Sequence, residues 1–121
     1  MKQPAAVPDT PIFDFLLGYE KSGVSRLHMP GHKGNPPGLP GWERLPFSLD
    51  ITEIRGADAL FEAEGIIGRS EETAAALYGV KTTCYSAGGA TLSILGVVRA
   101  GHPRGGEILA GRDCHIPFVR C

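Results

Sequence analysis

A chain of 121 residues, 42% hydrophobic and 21% charged, is enough for one small domain and too apolar for a disordered segment. Its net charge of −1, with no block of like charges, argues against a polyanion-binding surface and so against nucleic acid. No apolar run, Ile94 to Val98 included, is long enough to span a bilayer, and three scattered cysteines (Cys84, Cys114, Cys121) argue for a reducing, cytoplasmic setting.

The first ten residues carry one lysine and no apolar core, unlike a signal peptide. Thr10 and Pro11 then open a predicted helix. Thr10 can cap, Pro11 suits the first helical position, and Gly23 suits the exit. Ile12, Leu16 and Tyr19, flanked by Phe13 and Leu17, give it one broad apolar face. Residues 28 to 48 hold five prolines and four glycines and read as a long irregular loop of the functional kind. Leu49, Ile51 and Ile54 alternate as far as Gly56. Ser70 is the predicted cap of a second helix, with Glu71 and Glu72 in its first turn and Gly79 closing it.

The last third changes rhythm. Residues 81–87, "KTTCYSA", are β-branched and aromatic, and predict a strand. "GGAT" breaks it, residues 92–101 predict a helix, and "EILAG" (107–111) predicts a second strand. Strand, glycine turn, helix and strand form a βαβ unit, which implies α/β architecture with a parallel sheet. Ligands on such sheets bind at the carboxyl ends of the strands. Both Gly88–Thr91 and Asp113–His115 fall at that edge.

Three groups of residues carry candidate chemistry. Gly88 and Gly89 permit close backbone approach, and the following amides with the Thr91 hydroxyl could cup an anion. The same turn also serves as a bare strand-to-helix connection. His115, after the second strand, would sit beside that cup, although a histidine at a strand end is often a satisfied structural residue. "HMPGHKGN" (28–35) sets His28, His32 and Lys33 on a stiff loop. The four-residue histidine spacing suits zinc only on a helix, and Pro30–Gly31 removes the helix, so no metal site is expected. Asp50, Glu53 and Asp58 are spaced like solvated surface carboxylates.

Taken in order, "RLHMPGHKGN", "DITEIRGADALFEAEGII", "YSAGGATLSI" and "GRDCH" resemble the start of the Orn/Lys/Arg decarboxylase family. The resemblance spans residues 11 to 115. It implies an aspartate-aminotransferase-like, fold-type-I enzyme that uses pyridoxal 5'-phosphate to decarboxylate arginine, lysine or ornithine. It implies a division into an N-terminal helix and loop segment (1–48) and the beginning of the cofactor-binding major domain (49–121). By the resemblance, phosphate contacts map to Gly89, to Ala90 through its amide, and to Thr91 through amide and hydroxyl. His115, in the family's R-[ND]-C-H, inherits stacking on the cofactor ring and is the catalytic candidate. His28, His32 and Lys33 are implied to lie near the active-site mouth or a subunit contact of a homodimer or higher oligomer.

Gly88 and Ala90 depart from the family's asparagine and hydroxyl residues, which weakens the expected phosphate grip. None of Lys2, Lys21, Lys33 and Lys81 lies in the family's cofactor-lysine motif, so the chain alone is expected to be inactive. After His115 the family pattern gives way to "IPFVRC", and a shifted reading frame or a truncated gene is expected there. Two other readings stay open. One is a different fold-type-I enzyme, an aminotransferase or aldolase-type lyase. The other is a non-catalytic binding or regulatory remnant.

Overall fold

The computed structural model describes residues 9–104 and 106–114. The chain falls into two units, one up to Thr83 and one from Cys84 onward.

In the first unit, α1 spans Pro11–Lys21, close to its expected bounds. Pro11 occupies the first turn, where its missing N–H is no loss, and the Asp14 amide donates to the Thr10 carbonyl at 2.9 Å. The Thr10 side chain makes no capping bond, contrary to expectation. The exit is stitched by Ser22, whose hydroxyl donates to the Tyr19 carbonyl at 2.7 Å. Gly23 follows at φ +68°, the left-handed region. The apolar face also differs. Phe13 is half exposed, whereas Phe15 turns inward, stacks on Tyr19 at 6.3 Å between centroids and abuts Gly56.

Two short 3₁₀ turns, Trp42–Arg44 and Phe47–Leu49, punctuate the proline-rich loop. Phe47 stacks on Trp42 at 6.0 Å and receives the edge of the His32 ring at 4.8 Å. This gives the loop a small aromatic centre in place of regular structure.

The second helix, α2, runs Ile66–Tyr78 and begins four residues before the expected cap, which places Ser70 inside it. Its start is held from a distance. The Asp58 carboxylate accepts the amides of Gly65 at 2.8 Å and Ile67 at 3.0 Å, as well as that of Ala59 at 2.9 Å. Partial desolvation pulls the Asp58 pKa upward, but the amides of Ala59, Gly65, Ile67 and Gly68 outweigh it. They hold the carboxyl below the usual carboxylate range. Gly68 lies so close to the Ala63 carbonyl that a Cβ there would stand 2.1 Å from its oxygen. At the other end, Gly79 at φ +65° donates to Ala76, and the Val80 amide reaches the Ala75 carbonyl at 3.0 Å. This paired closure is a Schellman motif. α1 packs against α2 and the second 3₁₀ turn, and among the described residues only Pro11, Ala57 and Ala75 are buried.

In the second unit, α3 spans Gly89–Gly101, so "GGAT" belongs to the helix start and not to a break before it. Residues 111–114 form a turn in which the Cys114 amide donates to the Gly111 carbonyl at 3.1 Å. The strands expected at 81–87 and 107–111 are not formed, and among the described residues there is no strand. A strand exists only through a hydrogen-bonded neighbour, and neither segment has a ladder here. The expected parallel sheet, and the sheet edge meant to gather the candidate residues, are therefore not seen among the described residues.

Candidate functional site

The N-terminal end of α3 is built by its two glycines. Gly89 takes φ +71°, which a side chain would resist, and a Cβ on Gly88 would stand 2.3 Å from the Leu92 Cδ2 atom. No side chain caps the helix. The Thr91 hydroxyl has no partner among the described residues, while Ser93 donates back to the Gly89 carbonyl at 3.4 Å. Gly89, Ala90 and Thr91 are all exposed. The first-turn amides and one hydroxyl thus face solvent at the positive end of a thirteen-residue helix, a donor set suited to an oxyanion. His115 lies outside the described residues.

The "HMPGHK" loop is tied inward by its own polar groups. His28 donates from Nδ1 to the Met29 carbonyl, which leaves Nε2 as the acceptor for the Tyr19 hydroxyl at 2.7 Å. That tautomer is assigned from the network. Lys33, at φ +54°, turns its amine onto the His28 carbonyl. His32 accepts the Gly34 amide through Nδ1 at 3.1 Å, so its Nε2 proton points to the Asp50 carboxylate, 3.0 Å away. Both imidazoles therefore have both ring nitrogens engaged. Arg26, missed as a candidate from sequence, braces the same loop. Its guanidinium lies 4.9 Å above the Tyr19 ring centroid and donates to the Ser48 carbonyl at 2.6 Å. Its Nη1 is buried without a hydrogen-bond partner. No local pattern would have flagged it, because its partners lie 7 residues before it and 22 after. Among the described residues no three histidine, cysteine or acidic side chains gather as a metal site.

The start of α3 thus offers donors that suit an anion, and the family of the chain follows from its likeness to known proteins. Residues 10–119 match the family described as Orn/Lys/Arg decarboxylase, major domain, and the chain belongs to that family. It is similar to the uncharacterized protein YaaO of Bacillus subtilis, with 26% identity over 110 residues. It is also similar to an arginine decarboxylase of Bacillus cereus (28% over 111 residues) and one of Halalkalibacterium halodurans (27% over 110). Each match covers 88% of this chain but only 22–24% of the relative, so the chain spans about a quarter of their length. No solved structure matches it. Among the described residues no helix is long and apolar enough to cross a membrane.

Proposed function

We propose that this chain is the N-terminal portion of a pyridoxal-phosphate-dependent decarboxylase of basic amino acids, and that the start of α3 holds the cofactor phosphate. The observation that carries this reading is the uncapped glycine-opened end of α3, with the partnerless Thr91 hydroxyl, in a chain of this family. The amides of Gly89, Ala90 and Thr91 and the Thr91 hydroxyl would bind the phosphate dianion by charge-assisted hydrogen bonds. Once bound, pyridoxal phosphate supplies an electron sink for the carbon that loses carbon dioxide. His115 is proposed, through the resemblance alone, to lie against the cofactor ring. His28, His32 and Lys33 are proposed as parts of an active-site mouth or subunit contact that their internal bonds keep in one shape. The activity, the oligomeric state and the choice among arginine, lysine and ornithine are likewise proposals for the longer protein that the relatives represent.

The test is phosphorus NMR of pyridoxal 5'-phosphate titrated with the full chain. Saturable broadening of the phosphate signal is expected, with affinity about tenfold lower for Thr91→Val, the loss of one hydrogen bond to a charged group. Equal binding of unphosphorylated pyridoxal, or no effect of Thr91→Val, would overturn the assignment.

A further inference from the structure

Tyr19 in the last turns of α1 meets His28 of the "HMPGHK" loop. The phenol hydroxyl donates to His28 Nε2 at 2.7 Å, and the ring centroids lie 5.8 Å apart. Nδ1 of the same imidazole is turned to the Met29 carbonyl, which orients the ring and keeps Nε2 as the acceptor. A hydroxyl, a base within hydrogen-bond reach and a third group that orients the base form the arrangement of an activated nucleophile. The phenol oxygen takes no second hydrogen bond among the described residues, so a lone pair stays open. Both side chains are half-buried, which leaves them within reach of a small molecule.

Two charged side chains engage this pair, and both are cations. The Arg26 guanidinium lies 4.9 Å from the Tyr19 ring centroid, and the Lys33 amine donates to the His28 carbonyl. Positive charge there stabilises a phenol oxygen as it loses its proton, and it draws in an anion. We infer that Tyr19 is a nucleophile activated by His28, and that it takes an acyl group from a small acyl phosphate. The phenol oxygen bonds to the carbonyl carbon while His28 Nε2 takes the phenol proton. The bond from that carbon to the phosphate oxygen breaks, and the proton passes from His28 to the departing phosphate. An ester on Tyr19 and inorganic phosphate result, with no change of oxidation state. Attack falls on the carbonyl carbon because the charged phosphorus group repels the incoming oxygen.

This goes beyond the cofactor reading. Neither residue belongs to the glycine turn, so titration with pyridoxal phosphate and the test below stand or fall separately.

The experiment incubates the full chain with acetyl phosphate, and peptide mass mapping reads the acetyl group on each tyrosine. Tyr78, 76% exposed, is the comparison within the same chain. Tyr19 should be acetylated about 100-fold faster than Tyr78, the lower end of what a positioned base contributes. Hydroxylamine should remove the group, as it removes an aryl ester and not a lysine amide. His28→Gln should bring Tyr19 down to the rate of Tyr78, with circular dichroism confirming unchanged helix content. Added salt should slow the reaction with acetyl phosphate and leave that with neutral phenyl acetate unchanged. Equal labelling of Tyr19 and Tyr78 in the unaltered chain overturns the proposal without recourse to a variant, and so does a His28→Gln chain that reacts undiminished. A phosphoryl group on Tyr19 overturns the acyl assignment, and indifference to salt overturns the choice of an anionic donor.

Discussion

Asp58 shows how much one side chain can organise. It accepts amides from residues up to nine positions away, and those bonds keep its carboxyl more acidic than a free one. The folded pKa is depressed, so its contribution is fully present above the unfolded value of about 3.9 and is lost as pH falls through the lower folded value. The α2 part of the far-UV helix signal should therefore fade in that acid range, and Asp58→Ala should remove the transition and lower helix content at neutral pH. A signal unchanged by the substitution would show that Asp58 does not hold the helix. Gly68 has a steric role of the same weight. Gly68→Ala forces a methyl onto the Ala63 carbonyl and should cost about 1–3 kcal/mol, read from the urea midpoint. Tyr19→Phe, which removes the donor to His28, should cost about 1 kcal/mol by the same measurement.

At the scale of elements, legibility in the sequence followed the range of the forces. α1 was legible because Pro11 and Gly23 lie at its ends and act locally. The Schellman closure at Gly79 was legible for the same reason. The start of α2 was not, because its cap is Asp58, 7 residues before Gly65 and with no capping spacing to betray it. The strands expected at 81–87 and 107–111 are not formed among the described residues. β-propensity describes a fit to a pleated surface, and a pairing partner decides whether that surface exists. The glycine turn was found as a candidate, though as a break before a helix and not as its first turn. Its steric logic gives a direct check. Gly89→Ala places a side chain at φ +71° and should destabilise α3 by about 1 kcal/mol, seen as reduced helix content. The inward bonds of the "HMPGHK" loop were not legible, since Tyr19 and Asp50 lie outside the motif they complete.

At the scale of the whole molecule, the shortage of burial matters most. Ala57 and Ala75 are each 9% exposed, and among the described residues only Pro11 is buried beside them. Phe61 is 96% exposed, and Leu77 and Tyr78 at the end of α2 and Leu92 and Val97 on α3 are also open to solvent. With so few side chains fully buried, the half-buried ones leave only a small margin of hydrophobic free energy over the chain entropy of folding. The isolated chain should therefore bind a hydrophobic dye and aggregate as its concentration rises. A cooperative thermal transition without dye binding would refute this.

The long reach of Asp58 also leaves a signature in time. Amides in the first turn of a helix ordinarily trade their hydrogens with water almost as fast as those of a loop, because no carbonyl shelters them. Gly65 and Ile67 are sheltered by a carboxylate. Deuterium should enter these two positions later than it enters the uncapped first turn of α3. That delay should vanish in Asp58→Ala, so the exchange order of two helix starts would show which one a distant residue keeps closed.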